Sequence, residues 1–230
     1  MQKQINQTKT NWQQILLKSY EELDSDYIKN LKNSSYFPKS FLAPFNTLNK
    51  NDTKYILFGQ DPYPRELSAT GYSFIDGKVK SLWSEKGLSK EVNRATSLRN
   101  FMKMLLYAEG YPTEKEEIAK IDKTLFINSI IDLRDNFEKN GIMLLNIVPI
   151  FTTKEDTKKH LKEWIKFTKI FLSEIENTNI ELILFGQLAK TIHKFDLNFK
   201  TYSFEHPYNI SFIKNPEVIK LFKPMKLLYK

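Results

Sequence analysis

Residues 55–64 read Tyr-Ile-Leu-Phe-Gly-Gln-Asp-Pro-Tyr-Pro (YILFGQDPYP). An apolar run ends at Gly59, and a carboxylate, Asp61, follows between Gln60 and Pro62. A short apolar run bounded by glycine and proline reads as a buried strand leaving into a stiff turn. Two further segments have the same form, "GIMLLN" ending at Asn146 and "IELILFG" ending at Gly186. A fourth, "TYSFEHP", ends near His206. Between these runs the apolar spacing is helical. It predicts a helix over residues 11–31, with Trp12, Ile15, Leu16, Tyr20 and Leu23 on one face. A second carries Leu98, Phe101, Met102, Leu105 and Leu106, with Thr96 or Ser97 as its cap. A third carries Leu161, Trp164, Ile165, Thr168, Phe171, Leu172 and Ile175. Residues 113–140 are expected to hold one or two short helices, a short helix runs through Ile192, and a final one starts at Pro216.

Apolar strands separated by helices argue for an α/β fold with a mostly parallel sheet. Ligands of such sheets bind beyond the carboxyl ends of the strands. Asp61, Asn146 and His206 all stand at that point of different strands. The pattern implies one crevice lined by a carboxylate, a carboxamide and an imidazole.

With 230 residues, 41% of them hydrophobic, the chain can bury a sizeable core. No repeat, Gly/Ser linker or low-complexity block interrupts it, and residues 1–230 are read as a single domain. The absence of cysteine excludes a disulfide scaffold, a thiol nucleophile and Cys-ligated metal centres. No apolar run has the length of a membrane span, and the first residues lack the apolar region of a signal peptide, so a cytoplasmic protein is expected. The formal charge of +8, from 35 Lys and Arg against 27 Asp and Glu, fits either solubility or attraction to a polyanion such as nucleic acid.

The motif "GQDPYP" resembles the water-activating motif of the main uracil-DNA glycosylase family, usually Gly-Gln-Asp-Pro-Tyr-His. Further landmarks follow in the family's order: "GYSF", "SLRNFMKML" for Ser-Leu-x-Asn, "GIMLLNIV" for Leu-Leu-Leu-Asn, "LILFGQLAKTI", and "HPYNIS" for His-Pro-Ser-Pro-Leu-Ser. The resemblance spans roughly residues 55–212. It implies a three-layer α/β/α sandwich around a central, mostly parallel four-stranded sheet. It also implies a monomeric, monofunctional hydrolase that acts on uracil in single- and double-stranded DNA, leaves an abasic site, and needs no metal or other cofactor.

The chemistry accounts for the residue types. Breaking an N-glycosidic bond builds positive charge on the sugar and negative charge on the departing base. Asp61 is the candidate to stabilise the cation and position water, with Pro62 stiffening its backbone. His206 is the candidate donor to the uracil anion. Asn146 can accept from uracil N3–H and donate to O4, a polarity that cytosine reverses. Phe74 is assigned by resemblance to stack on the base, Tyr63 to collide with a thymine methyl, and Gln60 to supply mainly main-chain hydrogen bonds. Ile210 stands where the family places an apolar wedge that fills the gap left by the flipped nucleotide. Ser97 and Ser211 match phosphate-gripping positions, and Lys214 is added by charge. Taken alone, each has a plainer reading: Asp61 as a turn cap, Asn146 as a strand end, Phe74 as core, the serines as caps. His193 and His160 are read as surface or core residues, with His160 a further candidate DNA contact.

The chain also departs from the family pattern. Pro64 replaces the usual His, and Tyr208-Asn209 replace Ser-Pro. The segments near 77–95 and before Gly141 are longer than usual. Only four Arg are present, so phosphate attraction rests on Lys. Two other readings stay open: a non-catalytic DNA-binding accessory protein on the same fold, and a glycosylase for another damaged base.

Overall fold

The computed structural model describes residues 2–230. Helices α1 (Gln2–Ile5), α2 (Thr10–Glu21), α3 (Ser25–Lys32) and α4 (Pro44–Thr47) precede strand β1 (Tyr55–Gly59). Strands β2 (Trp83–Ser84) and β3 (Gly87–Leu88) and helices α5 (Lys90–Arg94), α6 (Thr96–Ala108), α7 (Lys115–Lys120) and α8 (Ile130–Lys139) follow. Then come β4 (Ile142–Asn146), α9 (Thr157–Ser173), β5 (Glu181–Phe185), α10 (Leu188–His193), β6 (Thr201–Phe204) and α11 (Pro216–Phe222).

Four strands form one sheet in the order β4-β1-β5-β6. β1 pairs in parallel with β4, from Tyr55 opposite Ile142 to Gly59 opposite Asn146, and with β5, from Tyr55 opposite Glu181 to Phe58 opposite Leu184. The inner residues of all three strands are buried, which is why they read as continuous apolar runs without alternation. With helices flanking the sheet, this is the expected α/β sandwich. No helix among the described residues is long and apolar enough to cross a membrane.

The chain divides into two compact units, one running up to Ile75 with Gly141–Ser203, the other Asp76–Asn140 with Phe204–Lys230. In the first, α2 packs along α9. Trp12 and Leu16 are fully buried, and the Trp12 ring meets Phe45 edge-on at 5.4 Å. Each such side chain contributes about 1.5–3 kcal/mol of apolar burial. Trp12 Nε1 also donates to Leu48 O at 2.8 Å, so the indole buries no unpaired donor. The single helix expected over 11–31 is broken. The Asp24 carboxylate accepts from the backbone N–H of Asp26 and Tyr27 at 3.0 and 2.8 Å and starts α3 afresh. Leu23 and Tyr27 are both buried across the break, which is why the apolar period ran through it.

His160, 5% exposed on α9, is part of this core and not a DNA contact. Trp164 Nε1 donates to Tyr27 Oη at 2.9 Å, and Tyr27 Oη lies 2.7 Å from His160 Nδ1. His160 Nε2 lies 2.7 Å from Thr152 Oγ1, which donates to Asp156 at 2.9 Å. One tautomer satisfies the chain: Tyr27 gives its proton to Nδ1, and Nε2–H donates to Thr152. An imidazolium would take Nδ1 away as acceptor and leave the Tyr27 proton without this partner. Burial presses the His160 pKa below its ordinary value, with Asp156 opposing.

The second unit is built on α6. Phe101 is fully buried and its ring meets those of Phe222 at 5.1 Å, Phe137 at 5.8 Å and Phe212 at 6.3 Å. The long segment near 77–95 forms the β2–β3 hairpin and α5, which is capped by Ser89. Gly87 closes the hairpin at φ +103°, a conformation that favours glycine. Neither Thr96 nor Ser97 caps α6: the helix already includes both, and Ala95 precedes it without a side-chain cap.

A stability consequence follows from His160. Because its folded pKa is lowered, its contribution is whole above the unfolded value of about 6.5 and is lost as pH falls through the folded one. His160→Gln is expected to cost about 1–3 kcal/mol at pH 7.5 and to shrink the drop in urea midpoint between pH 7.5 and 5.5. An unchanged drop would show that His160 does not titrate with unfolding.

Candidate active site

The first unit places Asp61 and Asn146 at the same edge of the sheet. Gly59 and Asn146 are paired as the last residues of β1 and β4. The pairing continues outward: Ile147 N–H donates to Gly59 O and Val148 N–H to Gln60 O, both at 2.9 Å. Asp61 is therefore one residue beyond a fixed ladder. A Cβ on residue 59 would collide with Asn146 Oδ1 and stand 2.8 Å from Ser73 Cβ. Glycine is what lets the carboxamide lie against the strand end. No described residue hydrogen-bonds that carboxamide, which leaves its donor and acceptor for a ligand.

The Gln60 carbonyl is taken up by Val148 within the strand ladder and not by a ligand, and the Gln60 side chain acts on its neighbour. Its Nε2 donates to Asp61 Oδ2 at 2.8 Å and braces the carboxylate from the preceding residue. Burial raises the Asp61 pKa, and the Gln60 amide opposes this in part. Buried Pro62 stiffens the chain behind it. The loop then closes on itself, with Arg65 N–H on Tyr63 O at 2.8 Å and Ser68 N–H on Arg65 O at 2.9 Å. Tyr63 is half-buried in this turn and Pro64 is exposed.

Phe74 differs from the other phenylalanines of the chain in its backbone: φ is +67°. For a bulky residue that region costs about 1–3 kcal/mol, a strain that gathers at functional positions. The neighbours hold it there. Ser73 N–H donates to Leu144 O at 3.4 Å, Ser73 Oγ to Leu57 O at 3.2 Å, and Thr70 Oγ1 to Ile75 O at 2.9 Å. The ring remains half-buried.

An apolar pocket of about 370 Å³, counting its open mouth, touches Asn146 and is otherwise lined by residues such as Phe45, Phe58, Trp164 and Phe171. Asp61, Tyr63 and Phe74 are not among its walls, so it is core packing and not the pocket these residues would serve.

The second unit holds the remaining candidates. His206 follows the last residue of β6 by two positions. Tyr208 N–H donates to His206 Nδ1 at 3.1 Å, which makes Nδ1 the acceptor and puts the proton of a neutral ring on Nε2. Desolvation lowers the pKa of His206 and favours that neutral form, although the residue keeps one side open to solvent. The loop behind it is pinned by Asn100, a residue of α6 that is 1% exposed. Its Nδ2 reaches Pro207 O at 2.8 Å, Tyr208 O at 3.2 Å and Asn209 O at 3.3 Å. Sequence reasoning assigned Asn100 no role, though a carboxamide inside an apolar helix face was a visible signal.

Ile210, 72% exposed, starts a short 3-10 turn (Ile210–Lys214) whose Phe212 and Ile213 are buried. Tyr208 is 67% exposed on the same loop. Ser211 Oγ donates to Glu205 Oε2 at 2.5 Å. Lys214 lies 5.5 Å from the centre of the Tyr107 ring. Ser97 stands half-buried in the first turn of α6, where backbone N–H groups lack a side-chain cap. His193 is exposed at the end of α10.

Known proteins share this arrangement of elements. No protein-family model matches the chain. The wild-type UNG crystal structure from Nitratifractor salsuginis is 44% identical, with a TM-score of 0.93, and the match covers 98% of this chain and 94% of that one. The uracil-DNA glycosylase of Psychromonas ingrahamii is 30% identical over 183 residues, 76% of this chain and 67% of that protein. That of Mycoplasma genitalium is 28% identical over 191 residues, 78% of this chain and 67% of its own. The near-complete overlap with a solved structure, at this identity and over strand ends built as described, shows that the chain belongs to the uracil-DNA glycosylase family.

Proposed function

We propose that this protein excises uracil from DNA by hydrolysing its N-glycosidic bond, as a divergent member of the family acting as one domain. The observation that carries the reading is the pair at the end of β1 and β4: a half-buried carboxylate at Asp61, braced by Gln60, and an unspent carboxamide at Asn146.

Asp61 stabilises the sugar cation and positions the attacking water. Half-buried, its charge acts on a developing cation more strongly than a fully exposed carboxylate would. Gln60 takes up one carboxylate oxygen and leaves the other for this task. Where the family usually has His, Pro64 brings no proton, and the Gln60 amide supplies local positioning in its place. His206 donates from Nε2 to uracil O2 as charge gathers there, its other nitrogen occupied by Tyr208 N–H. Asn146 reads N3–H and O4. Phe74 stacks on the ring from a strained backbone, and Tyr63 excludes the thymine methyl. Ile210 is the wedge, and Ser97, Ser211 and Lys214 meet phosphates. An accessory protein that only binds DNA has no use for a desolvated carboxylate, and a glycosylase for another base has no use for the polarity of Asn146.

The test is incubation, with EDTA present, of single-stranded and duplex oligonucleotides carrying one dU, scoring alkali-labile breaks, with thymine and hypoxanthine controls. Cleavage at dU alone is expected. No cleavage favours the accessory reading, and preference for hypoxanthine favours another damaged base. Asp61→Asn and His206→Ala should each lower turnover by roughly 10²-fold or more, and near-normal turnover removes the assigned role. Gly59→Ala should cost about 10-fold or more by displacing the Asn146 carboxamide, with the urea midpoint measured alongside to separate this from misfolding. Ile210→Ala should harm action on duplex far more than on single strands, and equal loss on both counts against a wedge.

A further inference from the structure

Glu205 lies directly before His206 and is half-buried. Its Oε2 accepts from Ser211 Oγ at 2.5 Å and from Asn209 Nδ2 at 3.1 Å. Two neutral donors on an exposed loop thus converge on one oxyanion oxygen. A serine hydroxyl has a single proton to give. While Ser211 gives it to Glu205, it cannot give it to a phosphate oxygen. The carboxylate also sets a negative charge beside the segment that carries Ile210, Ser211 and Lys214.

We infer that Glu205 is a built-in stand-in for a DNA phosphate, holding Ser211 and Asn209 in the free protein and displaced when a phosphodiester arrives. The inference rests on the reading of the chain as a DNA glycosylase. The plainer role, a brace for the loop, is already filled: Asn100 ties the carbonyls of residues 207–209 from within, and Pro207 is buried. Bonds between exposed side chains add little to such an anchorage. The larger effect of the carboxylate falls on what approaches the loop.

Glu205→Gln keeps a carbonyl acceptor and removes the charge. Two readouts apply: fluorescence anisotropy with a duplex carrying one 2′-fluoro-dU, which resists hydrolysis, and KM and kcat on a dU duplex. The substitution is expected to tighten binding and lower KM by about 5-fold, the scale of one partly exposed charge-assisted hydrogen bond, with the change in KM and not in kcat. Made in a Ser211→Ala background, it should gain less than about 1.5-fold, because no contested proton remains. Weaker binding or a lower kcat in Glu205→Gln would make the residue a brace and overturn the inference. An undiminished gain without Ser211 would reduce it to long-range repulsion and overturn it equally. The anisotropy arm reads displacement whether or not the chain cleaves dU, so failure of the glycosylase reading and failure of this inference give different results. Absence of DNA binding by both proteins would overturn both.

Discussion

Much of the first unit's chemistry depends on the close approach of Gly59 to Asn146. Two parallel strands end in register, and the absence of a side chain on one lets the carboxamide of the other lie against it. The ladder runs on through Ile147 and Val148, so the backbone around Gln60 is tied before Asp61 is reached. Asp61 gains its position from main-chain bonds and its electrostatic character from burial. Among the described residues its side-chain brace comes from the residue beside it in sequence. A residue with a Cβ at position 59 would disturb the carboxamide and the Ser73 anchor of Phe74 at once, because both meet that same empty space.

Desolvation shifts the two catalytic candidates in opposite directions. It raises Asp61 and lowers His206, pressing each towards its neutral form. For His206 the neutral ring, with Nδ1 engaged by Tyr208 N–H and Nε2 left as donor, is the form the proposed reaction uses. In the reaction we propose, Asp61 acts ionised, and its partial burial strengthens its charge. The amide of Gln60 keeps the carboxylate from being driven too far.

The buried strands and most helices were legible because each has one dominant signal, an apolar run or an amphipathic period. The break at Asp24 was hidden, since Leu23 and Tyr27 keep the apolar period while a cap restarts the helix. The start of α6 was misplaced as a capped end because Thr96 and Ser97 are favourable cap types, and composition does not reveal that Ala95 takes that place. In the site, residue types that chemistry demands could be named from motifs. The residues that support them could not: the Gln60 side chain on Asp61, Asn100 behind residues 207–209, and Glu205 against Ser211 act through tertiary geometry. His160 was likewise ambiguous until both ring nitrogens were seen to be engaged within the core.

Whether a half-buried Asp61 must be ionised to work is tested most directly by the pH dependence of single-turnover uracil excision at sub-saturating DNA. An acid limb is expected whose pKa lies above the ordinary aspartate value, because the raised group is lost as base when pH falls through it, and that limb should vanish in Asp61→Asn. A limb at the ordinary carboxylate position, or one that persists unchanged in Asp61→Asn, would contradict it.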